Sequence, residues 1–291
     1  MILETGFHPD IPDSIYFQDP CLPLSLTASI CKVLISKSPL HAYNEHPKLG
    51  GGMMDDDDSD DDKSGVKAFG TIVHSTILGK GAKVVLSPFK SFQSNDAKAW
   101  KAQQIEAGNV IAKQKQLDKA QFMRDSVRSA LDAAGLSHAF VGPEGVEETL
   151  VWKERDQFWM RSRLDHWHNE TATIFDLKTC ESAHEKAISN AIHNYKYALQ
   201  NCFYRRGIAA LRPELNGRTN FLFVFIETSA PYACQIVKID GEAEAIGESQ
   251  LARAVETWRQ CLTLNQWPSY SSGVVRIGLP SYALNVELGA P

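Results

Sequence analysis

The sequence predicts an α/β fold of the α+β type, in which a central mixed sheet is flanked by helices. Apolar residues recur at helical spacing through most of the first half of the chain. From about residue 146, short runs rich in aromatic and β-branched residues follow one another across polar links, as successive strands do. We expect three segments: an N-terminal helical segment (1–49), an acidic disordered loop (50–65), and a core with a C-terminal helix and tail (66–291).

The first predicted element is a short helix. Ser25-Leu26-Thr27 supplies an N-cap, apolar residues then recur at helical spacing as far as Leu34, and Ser38-Pro39 ends the helix.

A low-complexity segment from Gly50 to Gly65 comes next. It contains Gly-Gly-Gly and the aspartate runs 55–58 and 60–62, and because this composition cannot bury apolar area it predicts a disordered loop. Such charge runs are usually solvated, and cation binding is the alternative. The formal net charge is −5, and without these seven carboxylates it would be +2. The chain therefore lacks the strong basic charge of many nucleic-acid binders, and any such contact would be local.

Two helices are predicted after the loop. Residues 66–80 place apolar side chains at helical spacing and put Gly70 and His74 on one face. Residues 99–134 have a long amphipathic pattern that we expect to be broken near Gly108. Its apolar stripe consists of Ile105, Val110, Ile111, Leu117, Phe122, Met123, Val127 and Leu131.

Strands dominate the next part of the chain. Three are predicted at 149–152, 158–164 and 172–177, with short links that indicate hairpins. Residues 184–210 return to helical spacing, with Tyr195 among the residues on the predicted buried face. Two further strands at 221–227 and 232–239 precede a helix at 242–264 and a Pro-containing tail.

The cysteines and the absence of apolar runs narrow the class of protein. Six cysteines occur without a Cys-x-x-Cys pair, which argues against a zinc ribbon or a clustered iron–sulfur site, and we expect reduced, mostly buried thiols. The N-terminus has no basic region followed by an apolar stretch, and no run of about 18 apolar residues occurs. We therefore expect a cytoplasmic protein without a membrane partner.

Two carboxylates and a lysine lie on consecutive predicted strands. Asp165 ends one strand and Asp176 stands near the end of the next, so strand pairing would bring both carboxylates to the same edge of the sheet. Lys178 follows two residues later and points to the same strand face as Asp176. Carboxylate oxygens suit Mg²⁺ or Mn²⁺, and an ammonium there could orient or help deprotonate an attacking water. The pattern is typical of metal-dependent phosphodiester hydrolysis.

Each part of this pattern also has a simpler interpretation. An Asp-x-Lys pair arises by chance on exposed strand ends, and a histidine on an apolar helix is often a core residue. A stripe of His193, Tyr197, Gln200 and Tyr204 on the helix after the strands can face a cleft, or it can place tyrosine hydroxyls in hydrogen bonds at the edge of the core.

Five motifs in order along the chain carry a family resemblance. They are Gly70-x-x-x-His74, the glutamate in Val146-Glu147-Glu148-Thr149, Arg163-Leu164-Asp165, Ile174-Phe175-Asp176-Leu177-Lys178-Thr179 and Tyr197-x-x-Gln200-x-x-x-Tyr204. The chain resembles the PD-(D/E)XK nuclease superfamily, and within it the RecB-like nucleases and the C-terminal nuclease domain of exonuclease VIII (RecE). The resemblance covers nearly the whole chain, treats the aspartate run as an insertion, and implies a restriction-endonuclease-like core.

The resemblance also implies roles for individual residues. His74, Asp165 and Asp176 would ligate Mg²⁺ or Mn²⁺, with the carbonyl of Leu177 as an additional ligand. Lys178 would be the catalytic lysine, and Glu147 would be the family's catalytic glutamate, with Glu148 as the alternative. Gln200, Tyr204 and Tyr197 would bind DNA or orient the site. Leu164 stands where the superfamily's name motif has proline.

A substrate and partners follow from the same resemblance. It implies 5′-to-3′ digestion of linear double-stranded DNA from its ends, which leaves 3′ overhangs for a RecT-like annealing protein in recombination or repair. Related exonucleases form rings, so we expect a homo-oligomer, a trimer or tetramer. Four arginines would contact phosphates on its inner surface, namely Arg161, Arg163, Arg205 and Arg206. The alternatives are a RecB-like or CRISPR-associated type of nuclease with another polarity or a single-strand preference, and a catalytically inactive DNA-binding module.

Overall fold

A computed structural model describes residues 4–50, 61–155 and 157–279, with the backbone alone for 61–64. Nine strands lie in this part of the chain: β1 (Gly6–His8), β2 (Ser25–Leu26), β3 (Val84–Leu86), β4 (Val110–Ala112), β5 (Val146–Glu154), β6 (Phe158–His168), β7 (Thr173–Cys180), β8 (Asn220–Glu227) and β9 (Cys234–Val237). Nine α-helices accompany them there: α1 (Asp13–Tyr16), α2 (Ala28–Ser36), α3 (Pro39–Glu45), α4 (Asp61–Leu78), α5 (Asn95–Glu106), α6 (Gln114–Ala133), α7 (Glu185–Asn194), α8 (Tyr197–Leu211) and α9 (Gly241–Leu264).

A seven-stranded mixed sheet forms the centre of the molecule. Its order is β1-β5-β6-β7-β8-β9, and β2 also pairs with β6. Neighbours along this order are antiparallel except β7 and β8, which run parallel from Thr173 opposite Asn220 to Cys180 opposite Glu227. The connection between these two strands crosses over through α7 and α8, as a parallel pair requires. The predicted mixed sheet flanked by helices is confirmed.

Helices cover both faces of this sheet, and each face has its own hydrophobic core. One core lies under α2, α8 and α9 and includes Phe203 and Trp258, while the other lies under α4 and α6 and includes Ile72 and Met123. Strand β7 contributes to both, since Ile174 lies in the first core and Phe175 in the second. Burying each of these large side chains stabilises the fold by about 1.5–3 kcal/mol.

Helices α8 and α9 pack closely at a glycine. A Cβ atom on Gly247 would lie 2.5 Å from the carbonyl oxygen of Ala198 and 2.9 Å from Cys202 Sγ. Because the first of these neighbours is backbone, it cannot move aside without shifting a helix. The close approach of the two helices therefore depends on the missing side chain.

The N-terminal segment is more than the helical segment that the sequence predicts. The helix after Thr27 is confirmed, with the Thr27 side chain accepting a hydrogen bond from the Ile30 N–H. However, β1 pairs with β5, and β2 pairs with β6, so this segment also supplies two strands of the central sheet. Strands of two or three residues are too short to produce a recognisable alternation in the sequence.

The predicted acidic loop is partly corrected. Residues 51–60 of this prediction lie outside the described residues. Helix α4 begins at Asp61, so the prediction that residues 61–65 belong to a disordered loop is wrong. Acidic sequence is compatible with a first helical turn because the helix dipole favours negative charge there.

The break expected near Gly108 in the helical pattern at 99–134 is confirmed, but the prediction of one apolar stripe along this segment is wrong. Helices α5 and α6 are separated at Gly108, whose φ is +72°, and Val110 and Ile111 belong to β4, which pairs in parallel with β3 in a separate two-stranded sheet. Two residues of the proposed stripe are exposed, Ile105 at 59% and Phe122 at 60%. The predicted stripe combined apolar residues of one strand and two helices, whose spacing happened to match the helical period.

The helix predicted at 184–210 consists of two helices. Lys196, with φ 54°, separates α7 from α8, and the change of direction leaves Tyr195 62% exposed instead of buried. His193 therefore lies on a different helix from the other members of the predicted polar-aromatic stripe.

The structure also bears on the expectations about the cysteines and about membrane-spanning segments. All six cysteines are free thiols, and Cys21, Cys31, Cys202 and Cys261 are buried. Within the described residues, no helix is long and apolar enough to cross a membrane.

Candidate active site

The candidate site lies where the two central strands β6 and β7 separate. These strands pair only through His166–His168 opposite Thr173–Phe175. The ladder thus ends immediately before Asp165 and Asp176, which stand within their strands and not at the strand ends that the sequence predicts. The two carboxylates consequently lie in a gap inside the sheet, where side chains from helices on both faces can reach them.

Strand β2 and the main chain of β7 shape this gap. Strand β5 occupies one edge of β6, and the other edge is shared by β2, at Trp159 and Met160, and β7. The Leu177 N–H donates a 2.7 Å hydrogen bond to Asp165 Oδ2 across the gap. Asp165 therefore takes the place of a ladder partner, which satisfies the Leu177 N–H and orients the carboxylate.

Helix α4 brings His74 to the gap from one face of the sheet. His74 Nε2 lies 3.2 Å from Asp165 Oδ2, and His74 Nδ1 lies 3.6 Å from Glu147 Oε1. The imidazole thus bridges two carboxylates, and it is not a core histidine.

The backbone of β5 turns Glu147 toward His74. Glu147 has φ 48°, and the β5–β6 ladder skips it, pairing Val146 with His166 and Glu148 with Leu164. Such a conformation is unfavourable for a residue with a side chain, and residues of this kind concentrate at functional sites. The structure places Glu147, and not the alternative Glu148, against His74.

Helix α8 approaches from the opposite face. Gln200 Nε2 donates a 2.7 Å hydrogen bond to Asp176 Oδ1, and Lys178 Nζ forms an ion pair with Asp176 Oδ2. The Lys178 ammonium also lies 5.0 Å from the centroid of the Tyr197 ring, a distance typical of a cation–π contact. Asp176 is only 1% exposed, so its carboxylate is held by these two side chains.

Tyr204 supports the site from within the packing of α8. Its ring lies 6.0 Å from Phe221 and 6.4 Å from Phe203, centroid to centroid. Burial, with the charge of Asp176, raises the pKa of Tyr204 well above its usual value, although a hydrogen bond with Gln200 opposes the shift. The structure thus places Tyr204 behind Gln200 and keeps its hydroxyl protonated.

The charges in the gap shift one another's pKa values. Burial raises the pKa of Asp176 to about 6, against the attraction of Lys178. Burial would also raise the pKa of Asp165, but His74 and Lys178 lower it. For His74, burial favours the neutral form, yet Asp165 and Glu147 raise its pKa to about 10. Burial favours the neutral form of Lys178 as well, but Asp176 and Asp165 hold its pKa above the usual value. Strong mutual shifts of this kind are characteristic of functional sites.

The donor set can be tested for its fit to a metal ion. In the parts of the chain that the structure describes, no group of three or more His, Cys, Asp or Glu side chains is already arranged to hold a metal. Asp176 Oδ2 is buried and receives no well-aligned hydrogen bond, although it contacts the Lys178 ammonium. The carboxylates of Asp165 and Asp176 and the Leu177 carbonyl are hard oxygen donors, and His74 adds a nitrogen. This set fits a divalent cation such as Mg²⁺ or Mn²⁺.

The four arginines proposed to face DNA are engaged within the protein. Arg161 is 3% exposed, forms an ion pair with Asp19 at 3.8 Å, and donates to Ser25 Oγ at 3.1 Å, so the expectation that it contacts phosphates is corrected. Arg163 pairs with Asp13 at 2.5 Å and donates to the Ile11 carbonyl at 2.6 Å. The other two pair Arg205 with Glu244 and Arg206 with Glu154. The sequence alone does not indicate which arginines will pair with acidic residues that are distant in the chain.

One residue of the site was not predicted from the sequence. Lys32, on α2, donates a 2.8 Å hydrogen bond to Gln200 Oε1 and lies 5.2 Å from the Tyr197 ring centroid. Burial and the neighbouring Lys178 lower the pKa of Lys32 to about 8. No motif surrounds it, and only its position on the inward side of a short capped helix could have indicated a role.

Comparison with known proteins agrees with this architecture. Residues 53–276 match the PDDEXK-like domain of unknown function (DUF3799). The chain belongs to this PDDEXK-like family. The match includes His74, Glu147, Asp165, Asp176, Lys178 and Gln200, and leaves out the N-terminal segment.

Solved structures give a second comparison. A protein from Eubacterium rectale with the provisional name of exonuclease has a similar fold, with a TM-score of 0.56 and 10% identity over 97% of this chain and 100% of the other. A phage-related exonuclease from Haemophilus somnus aligns over 84% of this chain and 97% of its own at 11% identity, but its TM-score of 0.30 indicates no close likeness. No curated protein matches the chain in sequence.

Proposed function

We propose that this member of the PDDEXK-like family is a metal-dependent exodeoxyribonuclease that hydrolyses phosphodiester bonds of linear double-stranded DNA. One observation carries the proposal: Asp165 and Asp176 meet in a gap of the sheet, with Lys178 bound to Asp176 and His74 bound to Asp165. The β6–β7 ladder is interrupted at this point, and the buried Asp176 and the partly buried Asp165 lie there beside a lysine and a histidine.

Asp165, Asp176, the Leu177 carbonyl and His74 would hold the metal, which we propose is Mg²⁺, with Mn²⁺ able to replace it. The bound cation supplies stabilisation of the negative charge that develops on the scissile phosphate. Lys178, whose ammonium contacts Asp176, would orient the attacking water and the phosphate by donating hydrogen bonds. Glu147 orients His74, and Gln200 orients Asp176.

The finer features of the proposal come from the resemblance to exonuclease VIII. They are 5′-to-3′ polarity, 3′ overhangs delivered to a RecT-like annealing protein in recombination or repair, a ring-shaped trimer or tetramer, and action in the cytoplasm. The name of the Eubacterium rectale protein is consistent with exonuclease activity. Because Arg161 is buried, a ring would need other residues on its DNA-facing surface; Tyr197, which lies beside Lys178, is a candidate for contact with the substrate.

The decisive experiment measures digestion of DNA by the purified protein. Linear blunt duplex, labelled at either the 5′ or the 3′ end, is incubated with Mg²⁺ or with EDTA, and closed circular duplex is incubated in parallel. We expect Mg²⁺-dependent loss of linear DNA, early release of the 5′ label, and no attack on the circle. Asp176→Asn should raise the activation barrier by several kcal/mol, which lowers the rate on the order of 10²–10⁴-fold. Lys178→Met should lower it by on the order of 10²-fold.

A matched control separates a specific loss from a general one. Asp132, an exposed aspartate on α6, is replaced by Asn, and this variant should digest DNA at the wild-type rate. Full activity in Asp176→Asn would show that the site is misplaced. Early release of the 3′ label, or digestion restricted to single strands, would favour the RecB-like alternative.

The remaining alternative is an inactive DNA-binding module. It predicts binding of duplex ends without Mg²⁺-dependent digestion. The observation against this alternative is that the site is complete. Lys178 contacts Asp176, and Asp165 contacts His74 and accepts a hydrogen bond from the N–H of Leu177, which lies between Asp176 and Lys178.

A further inference from the structure

We propose that Lys32 is a positioning residue of this active site, which holds Gln200 so that the amide N–H group of Gln200 faces Asp176. The inference rests on the proposed function, because it assigns Lys32 to the same site. It also extends that site beyond the part of the chain that matches the family, since Lys32 precedes residue 53.

The geometry gives Gln200 one orientation. Its side chain has one acceptor and one donor group, and the acceptor Oε1 receives the Lys32 ammonium at 2.8 Å. The donor Nε2 is thereby directed to Asp176 Oδ1, at 2.7 Å. Rotation of the amide by half a turn would place its oxygen against the carboxylate and its NH₂ group against the ammonium, so both contacts oppose it. Lys32 and Asp176 therefore hold Gln200 from opposite ends, and loss of the ammonium removes one of these two restraints.

The surroundings of Lys32 do not offer it a structural ion pair. Among the residues that the structure describes, no carboxylate forms a salt bridge with it, and its contacts are the Gln200 oxygen and the face of Tyr197. The second lysine, Lys178, lies 5.0 Å from the same ring. Lys32 is partly buried, and burying part of a charged side chain is unfavourable unless its ammonium makes good contacts. A lysine that only stabilised the fold would be expected at the surface or beside an acid.

The chain path explains how Lys32 arrives there. Strand β2 pairs with β6 on the edge that β6 shares with β7, and helix α2 starts two residues after β2 ends. The residues of α2 next to Lys32 pack into the core with α8, including Cys31 and Leu34. The N-terminal segment thus enters beside the gap that holds Asp165 and Asp176, and it places one cation behind Gln200.

A double-mutant cycle tests this role. Four full-length proteins are compared: the wild type, Lys32→Met, Gln200→Leu and the double variant. Mn²⁺ binding without DNA is followed by electron paramagnetic resonance, and the Mg²⁺-dependent turnover of linear duplex is measured separately. Outer-shell changes commonly weaken metal binding or activity about 10- to 100-fold. We expect Lys32→Met to weaken Mn²⁺ binding and lower kcat by roughly tenfold, with the KM for DNA little changed.

The result that identifies positioning is non-additivity. If Lys32 acts through Gln200, the double variant is no worse than Gln200→Leu alone. If Lys32 instead contacts DNA directly, KM rises and the two losses multiply, which overturns the proposal. Lys37→Met is the matched control, because Lys37 closes the same helix in a surface ion pair with Glu45. A Lys32→Met protein that behaves like this control also overturns it.

Folding and the proposed function are controlled separately. If circular dichroism shows that Lys32→Met does not fold, Lys32→Gln, which also removes the ammonium, takes its place in the cycle. A wild type that binds Mn²⁺ but digests no DNA contradicts the proposed function, while the Mn²⁺ cycle still decides the role of Lys32. A wild type that digests DNA, together with an additive cycle, contradicts the role of Lys32 alone. A wild type that does neither contradicts both.

Discussion

Gln200 and Asp176 are joined by a 2.7 Å hydrogen bond that ties helix α8 to the central strand β7. The amide engages Oδ1, while the Lys178 ammonium contacts Oδ2, so both oxygens of this buried carboxylate meet side chains of the protein. The carboxylate is consequently oriented before substrate arrives, which is the arrangement that an active site requires.

The first prediction concerns this hydrogen bond. Gln200→Glu keeps the size of the side chain but turns a donor into a second acidic group beside Asp176. We expect the repulsion to raise the pKa of Asp176 further and to reduce Mg²⁺-dependent DNA digestion by more than tenfold. Initial rates on end-labelled duplex measure the effect. A Gln200→Glu rate within twofold of the wild type would mean that the hydrogen bond does not serve the reaction.

A second prediction concerns Gly81, which lies against Glu147. Gly81 has φ +106°, and a Cβ atom there would lie 2.8 Å from Glu147 Oε1. Gly81→Ala should therefore strain the backbone by about 1–3 kcal/mol and displace Glu147 from His74, lowering DNA digestion several-fold. Gly79→Ala is the control, because Gly79 has φ +68° but no atom within 4 Å of its Cβ position. Equal activity in the two variants would contradict the assigned role of Glu147.

The third prediction is a loss of stability in acid that involves Asp19. Burial would raise the pKa of Asp19, but His46, Arg161 and Ser25 lower it to about 2, from an ordinary 3.8. A lowered pKa in the folded state means that Asp19 stabilises the protein above pH 3.8 and that this contribution disappears as the pH falls toward 2. The contribution is about 2 kcal/mol.

Urea denaturation across this pH range measures the Asp19 contribution. We expect the stability difference between the wild type and Asp19→Asn to be largest near neutral pH and to shrink between pH 4 and pH 2, the window given by the pKa shift. A difference that does not vary with pH would show that the carboxylate charge is not what stabilises the fold.

The fourth prediction separates stability from DNA binding at Arg161. Arg161→Met removes the guanidinium beside the buried carboxylate of Asp19, and breaking such a pair costs about 3–5 kcal/mol. We expect a large fall in Tm by differential scanning calorimetry, with no change in the affinity of the folded protein for duplex ends. Arg155→Met is the control, since the Arg155 side chain is exposed and should contribute almost nothing to Tm. A weaker DNA affinity in Arg161→Met, with Tm unchanged, would restore the original assignment to DNA contact.

The fifth prediction tests the packing of α8 on α9. Gly247→Ala places a Cβ against the Ala198 carbonyl, and overpacking of this kind costs about 1–3 kcal/mol. Because α8 carries Gln200 and Tyr197, the shift should also lower DNA digestion. Gly241→Ala, at the first residue of the same helix, has open space around the added methyl group. Its stability should stay within about 0.5 kcal/mol of the wild type, and chemical denaturation of both variants measures the contrast.

Much of this architecture could be predicted from the sequence because it depends on local patterns. The periodicity of apolar residues predicts the strands around Asp165 and Asp176, the helix that carries His74 and the helical crossover segment. Lys178 shares a face with Asp176 because side chains alternate along a strand. Errors occurred where elements were very short, as in β1 to β4, or where one left-handed residue divided a helix, as at Lys196.

The sequence by itself determined the chemical types at the candidate site: two carboxylates, a histidine, a lysine and a glutamine in a fixed order along the chain. Only the tertiary structure decided that β6 and β7 separate at Asp165, that Glu147 and not Glu148 turns toward His74, and that Lys32 stands behind Gln200. It also decided that Arg161 is buried against Asp19, whereas its charge had suggested a contact with DNA phosphates. These features depend on contacts between residues distant in the chain, and local propensity carries no information about which distant partner a charged side chain will meet.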